Sequence, residues 1–259
     1  MPEGDTIYRA AARLRPAILN QQLIRFVAPR LSGASPQPGE TILDVRSHGK
    51  HLLIDFSGGL TLRVHLRMSG SWHLYRTTTT NWKRKASTAR VIIEVKDWVA
   101  VCFNAPDVAL TRLDDAAVGH LGPDLCQPDP DLDEVCRRAR RFSDPKRPIG
   151  DVTMDQRVAC GIGNVYKSET LHSLAIDPTT PLHRLSDNTL QSVFVEAVRL
   201  LARNLAAPGG RTTVAEGYAV YGRADETCRR CGGTIVRIVQ GGEQPRSTYY
   251  CPGCQALPS

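Results

Sequence analysis

Near the amino terminus the apolar positions recur at helical spacing: in DTIYRAAARLR (5–15), Ile7, Ala10, Ala11 and Leu14 share one face while Arg9, Arg13 and Arg15 fall mostly on others. The spacing predicts a helix starting near Pro2, a residue suited to a first turn because the N–H it lacks has no intrahelical partner there. From Gln22 to about Phe103 the period shortens to β-branched and apolar runs: LIRFVA, TILDV, HLLIDF, LTLRVHLRM, RVIIEVKD and WVAVCF. Gly39, Gly49, Gly58, Gly59, Gly70 and Asp97 punctuate them. Short strands at these intervals predict a β-sandwich. TTTTNWKRKAST (77–88) reads as a polar, basic loop.

A Pro- and Asp-rich stretch, GPDLCQPDPDLD (122–133), reads as a linker. Helical patterns follow in EVCRRARRF, in residues 153–160, in VYKSETLHSLA and in TLQSVFVEAVRLLARNLA. After APGGR (207–211) a cysteine-rich unit closes the chain. The expected class is α+β: an N-terminal helix and β-sandwich over 1–122, a helical domain over 123–210 and a β-hairpin metal unit over 211–259.

At 259 residues and 41% hydrophobic content the chain can bury a sizeable core. A net charge of +7 and a pI near 9.1 favour a polyanionic partner, since a basic surface gains binding energy by displacing condensed counterions. The segment MPEGDTIYRAAARLRPA has no apolar run long enough for a signal peptide or a membrane span. The expected setting is therefore cytoplasmic and bacterial-type, beside the nucleoid, with no membrane partner and a monomeric protein. In that reducing compartment the eight cysteines read as metal ligands and buried thiols rather than disulfides.

Their spacing carries the most specific signal in the chain. Cys228-x2-Cys231, a 19-residue spacer and Cys251-x2-Cys254 fit a tetrahedral four-cysteine zinc site. Within the spacer TIVRIVQ reads as a strand, Gly241-Gly242 as a turn, and Arg246 to Tyr250 as the returning strand. Four thiolates leave no open position, so the single Zn2+ is expected to be structural. So small a unit relies on metal to fold. Zinc ribbons contact either proteins or nucleic acids, and the spacing does not choose between them.

In DQRVACGIGNVYKSETL, Gly161 and Gly163 interrupt the helical pattern and Asn164 stands where it can cap a helix beginning at Val165. Such a terminus offers free N–H groups to a phosphate, with Arg157 and Lys167 flanking the loop. A plain tight turn between two helices is the simpler alternative.

MPEGDT, GKHLLIDF, HLRMSGSW, DQRVACGIGNVYKSE and RSTYYCPGCQ occur together and in this order. As a set they resemble the formamidopyrimidine-DNA glycosylase/endonuclease VIII family of bifunctional glycosylases, over nearly the whole chain, and the MPEGDT start is more like endonuclease VIII. The resemblance implies a helix–two-turns–helix second domain, damaged DNA held between domains, and a lesion flipped out of the duplex, because the sugar C1′ of a stacked nucleotide is out of reach.

It also implies roles for matched residues. With Met1 removed, the secondary amine of Pro2 would attack C1′ as nucleophile, and Glu3 would act as the general acid. Lys50 matches a lysine that contacts phosphate and donates a proton during β-elimination; Arg246 matches an arginine of phosphate binding and δ-elimination. Asn164 matches a phosphate contact. Arg67, Met68 and Ser69 lie where the family inserts a wedge after base flipping, although Met68 could equally be a strand core residue. The chain departs from the formamidopyrimidine pattern at FNAPDVAL (103–110), which lacks the usual Arg and Phe of that region. Oxidised pyrimidines are the expected substrates. The competing readings are an 8-oxoguanine or formamidopyrimidine glycosylase, a non-catalytic binder of abasic sites, and a zinc-ribbon adaptor.

Overall fold

A computed structural model of the chain describes residues 2–112, 118–207, 217–242 and 245–255. The chain divides into two compact units, 1–119 and 120–259. Among the described residues no helix is long and apolar enough to cross a membrane.

The first unit opens with α1 (Gly4–Ile18), whose Ile7, Ala11, Leu14 and Ile18 form the buried stripe. The helix begins later than its spacing predicts. Glu3 has extended backbone and is the N-cap, its carbonyl accepting from the N–H groups of Thr6 and Ile7, so Pro2 precedes the helix. Eight strands follow: β1 (Arg25–Val27), β2 (Ile42–His48), β3 (His51–Phe56), β4 (Leu60–His65), β5 (Ser71–Arg76), β6 (Ala89–Glu94), β7 (Trp98–Phe103) and β8 (Asp107–Arg112). They form two four-stranded antiparallel sheets, ordered β1-β6-β7-β5 and β2-β3-β4-β8. The inward residues of both, including Val45, Leu52, Ile54, Val64, Val91, Ile93 and Ala100, close over α1 in one core. This is the expected sandwich.

β5 and β8 are additions to the six predicted strands. Every residue of β8 before Arg112 is half-buried, so no inside–outside alternation marks it. β4 is shorter than LTLRVHLRM suggests, because the chain turns after His65. Gly70 N–H donates to Leu66 O at 2.9 Å, and a Cβ at Gly70 would lie 2.6 Å from that oxygen, so only glycine closes the turn.

The second unit contains α2 (Leu132–Phe142), α3 (Ile149–Met154), α4 (Asn164–Ser173), α5 (Asp187–Ala206) and the hairpin β9 (Val236–Gln240)/β10 (Arg246–Tyr250). Asp131 and Ser186 cap α2 and α5 by accepting from Glu134 N and Thr189 N. Residues 155–160 are not helical. Val158, Ala159, Cys160 and Ile162 are buried in an irregular turn, and this core burial imitates a helical pattern.

The same turn explains why 122–126 is not a free linker. Gly122 N–H donates to Gln156 O, Cys160 N–H to Pro123 O and Leu125 N–H to Cys160 O, stitching the stretch into the second unit. Asp155 anchors the turn. Burial pushes its carboxyl pKa up, but hydrogen bonds from Arg157 and Arg147 outweigh this and hold it at about 2.

Candidate active site and zinc unit

Glu3 has 0% exposed surface, so the first turn of α1 buries a carboxyl group immediately after half-buried Pro2. The Glu3 side chain makes no capping bond to the helix. Asp5, also fully buried, accepts from Arg9 at 3.3 Å one turn later. Met1, on whose removal the chemistry of Pro2 depends, lies outside the described residues.

Strand register gathers a second group at one end of the β2-β3-β4-β8 sheet. His48 pairs with His51, His51 with His65, and His65 with Asp107, giving one row across four strands. Lys50 sits in the turn joining β2 to β3 at this end, and the turn after β4 presents Arg67 and Met68 beside it. Arg67 takes a left-handed φ of 51°, its N–H donating to His65 Nδ1 at 3.1 Å and its guanidinium to Asp107 at 3.3 Å. Met68 is 69% exposed, which rules out the core alternative. An apolar side chain held in water on a glycine-closed turn is available to a partner.

His65 is the member of this group that sequence reasoning missed; only its place in HLRMSGSW hinted at it. Burial lowers its pKa to about 4, helped by Arg67, Lys50 and Arg63 against the opposing charge of Asp107. Its imidazole is therefore neutral at physiological pH, next to Lys50.

In the second unit α4 organises the remaining candidates. Asn164 is the first residue of the helix; Gly163 is the cap. Instead of capping, the Asn164 amide donates to Ser247 O on β10, the strand that starts with exposed Arg246. Lys167 also departs from expectation. It is 1% exposed and donates from Nζ to Thr248 Oγ1 at 2.7 Å, so it braces the hairpin and is not a cation flanking the loop. Arg157 remains exposed but is paired with Asp155. Tyr249 N–H donates to Ser168 Oγ, and Thr248 Oγ1 bonds Gln240 on β9. Asn164 and Arg246 thus belong to one hydrogen-bonded assembly.

The next residue, Glu169, closes the DQRVACGIGNVYKSE block, which assigned it no role. Its carboxylate accepts from the backbone N–H groups of Ala219, Val220 and Tyr221 at 2.8–2.9 Å, fixing the chain that leads into the zinc unit. At the other end of α4, Arg230 donates to the carbonyls of His172 and Ser173, and the His172 carbonyl also accepts from Ala175 N–H at 3.1 Å. The Sγ atoms of Cys228, Cys231, Cys251 and Cys254 all lie within 4.8 Å of one another. Gly233 and Gly253 line them so closely that a Cβ would sit 3.4 and 3.2 Å from Cys231 Sγ. Four converging cysteines, with no carboxylate in the cluster among the described residues, are a donor set for one structural zinc. Among the described residues the core around it consists of Val220, Ile235, Cys228 and Cys251, with Tyr249 and Cys254 packed against them.

Comparison with known proteins accords with this architecture. Residues 1–107 match the formamidopyrimidine-DNA glycosylase N-terminal domain, 121–216 the formamidopyrimidine-DNA glycosylase H2TH domain, and 225–257 the zinc finger found in FPG and IleRS. The chain is 42% identical to a protein named probable endonuclease 8 2 of Streptomyces coelicolor, covering 100% of this chain and 95% of that protein. It is 35% identical to the DNA-(apurinic or apyrimidinic site) lyase Nei2 of Mycolicibacterium smegmatis, covering 98% and 99%. A structure of Lactococcus lactis Fpg with DNA containing an abasic site superposes with a TM-score of 0.81 at 22% identity, covering 98% of this chain and 100% of that one. The chain belongs to the formamidopyrimidine-DNA glycosylase/endonuclease VIII family of base excision repair, and is a DNA glycosylase with a zinc finger.

Two outcomes follow for stability. Cys251→Ser should abolish stoichiometric zinc and melt the hairpin unit, read as lost amide protection over 217–255 with protection retained in the sandwich; zinc retained in a folded hairpin would refute the four-thiolate site. An imidazole whose folded pKa lies below its free value of 6.5 takes up a proton on unfolding between those two values. The sandwich is therefore fully stable above about pH 6.5 and weakens toward pH 4, by on the order of 1–2 kcal/mol after allowing for partial exposure. His65→Gln should flatten chemical-denaturation stability across that window.

Proposed function

We propose that this protein is a bifunctional glycosylase and abasic-site lyase acting on oxidised pyrimidines in DNA, with the amine of Pro2 as nucleophile. The observation that carries the reading is the fully buried Glu3 at the cap of α1, directly after Pro2. A carboxyl group enclosed directly beside the amine is placed to act as its general acid. A secondary amine at a chain terminus is far less basic than lysine, so a useful fraction is unprotonated.

The amine attacks C1′ and the C1′–N bond to the base breaks, the base leaving with the proton that the amine gives up, while Glu3 gives its proton to O4′ as the sugar ring opens. The resulting iminium acidifies C2′–H. Loss of that proton expels the 3′ phosphate, and a second elimination expels the 5′ phosphate, leaving a one-nucleotide gap. Lys50, in its turn beside neutral His65, binds phosphate and supplies the proton for the first elimination. Arg246 and Asn164 bind the strand's phosphates, and Arg246 assists the second elimination. Met68, on its rigid turn with Arg67, fills the space left by the flipped nucleotide.

The pyrimidine preference is supported by the β7–β8 connection. Phe103 is buried within β7, and Asn104, Ala105 and Pro106 alone join it to β8, leaving no long loop to carry an Arg/Phe pair.

Glu3→Gln should slow release of dihydrouracil or thymine glycol from duplex DNA by roughly 100-fold or more, with a smaller effect on a preformed abasic site. Pro2→Gly should cut borohydride trapping on abasic DNA by roughly tenfold, and an amino-terminal extension should abolish it. Single-turnover assays with gel resolution of the product ends measure both. Full trapping by the extended protein, or faster release of 8-oxoguanine than of the pyrimidine lesions, would overturn the corresponding part of the reading.

A further inference from the structure

From Phe56 to Ile93 the sequence has no Asp or Glu and seven Arg or Lys. Two of the seven, Arg63 and Arg67, share an ion pair with Asp107, and Arg76 lies over the Trp98 ring at 3.8 Å. Lys83, Arg84 and Lys85 are exposed. Among the described residues none of the three, nor Arg13 on α1, has a carboxylate within ion-pair distance, although Arg9, Arg15, Arg25 and Arg46 in the same unit are all paired.

Topology fixes where these cations lie. β5 and β6 both pair antiparallel with β7, so they run parallel to each other, and the chain between them must return along the strands. Residues 77–88 make that return as a strap over the outer face of the sheet. The outward residues Tyr75, Val99, Val101 and Phe103 form a small second core with Trp82 of the strap. Trp82 stacks on Tyr75 at 5.9 Å and meets Phe103 edge-on at 5.8 Å, while Lys83 N–H donates to the Tyr75 hydroxyl at 3.1 Å. Burial pushes the half-buried His73 imidazole down in pKa, and Arg84, Lys83 and Arg13 push it further, so these charges converge around one ring.

The basic half of the strap leads back toward the Met68 turn. Thr88 O accepts from Asn104 N–H at 2.9 Å, and Asn104 O accepts from Ser69 Oγ at 3.2 Å. The charged run is thus continuous through short hydrogen bonds with the end of the sandwich that carries Met68, Arg67 and Lys50.

We propose that the strap, through Lys83, Arg84 and Lys85, is an additional binding surface for the phosphodiester backbone of duplex DNA beyond the lesion. This rests on the reading of the protein as a glycosylase of damaged DNA. Three considerations favour a phosphate backbone. The cations are held together without carboxylates among the described residues, so a polyanion that docks there gains by relieving their mutual repulsion. The aromatic rings face inward as staples, which leaves no stacking platform for unpaired bases. Pinning by Trp82 and Tyr75 lowers the ordering cost of presenting the charges.

The test is a triple variant, Lys83→Ser with Arg84→Ser and Lys85→Ser, which leaves the aromatic staple intact, beside a charge-conserving Lys83→Arg/Lys85→Arg variant. Affinity for an undamaged duplex is measured from 50 to 200 mM salt, together with the single-turnover nicking rate of an abasic duplex at saturating enzyme. Each phosphate contact contributes about −0.9 to the slope of log K against log salt. The triple variant should lose roughly 2–3 units of slope, equivalent to about a 40-fold smaller fall in affinity over that range. Its saturated nicking rate should match the parent's, and the charge-conserving variant should keep the parental slope. A parental slope in the triple variant overturns the strap surface whatever the chemistry does. A reduced slope with no nicking by either protein leaves the strap standing and removes the lyase reading.

Discussion

A carboxyl group taken wholly out of water at a chain terminus is an unusual commitment, and the first unit is built around one. Burying an ionisable group costs several kcal/mol unless it is neutral or well partnered, and terminal residues ordinarily fray. Glu3 is nevertheless completely enclosed, because α1 cannot slide: Ile7, Ala11, Leu14 and Ile18 are wedged into the core shared by both sheets, and Arg15 bonds Val45 O on β2. The position of Pro2 is therefore a consequence of sandwich packing. In the proposed chemistry that packing converts a chain end into a nucleophile at a set place, beside its acid.

The second unit solves a related problem with one helix. α4 offers Asn164, Lys167, Ser168 and Glu169 in succession to β10 and to the chain entering the zinc unit, and Arg230 closes the other end of the helix. The zinc unit has too few apolar residues to stand alone, so metal and helix share the task of holding it. The backbone of Arg246 takes its place at the start of β10 within this braced hairpin. A fully buried lysine is costly; the ammonium group of Lys167 meets Thr248, which bonds Gln240 on β9, and feels the Asp151 carboxylate.

Features with a local cause were legible in the sequence. The four cysteines follow metal geometry, the hairpin follows its glycine turn, and the α1 stripe and six strands follow periodicity. What escaped depends on contacts distant in sequence. β8 lies at a sheet edge with no alternation; residues 155–160 and 122–126 acquire their structure from each other; Lys167 and Glu169 look like solvated charges until β10 and residues 219–221 arrive. His65 and Lys50 become neighbours only through the register of three strands. The strap was read correctly as a basic loop, but its pinning by Trp82 requires knowing that β5 and β6 run parallel.

In the proposed chemistry the amine of Pro2 forms the covalent bond to the sugar. The most direct measurement is peptide mapping by mass spectrometry of the borohydride-reduced complex with abasic DNA, after nuclease trimming. The expected result is the sugar remnant on the nitrogen of Pro2, in a protein lacking Met1. A remnant on the Lys50 Nζ, or on any other lysine, would contradict it.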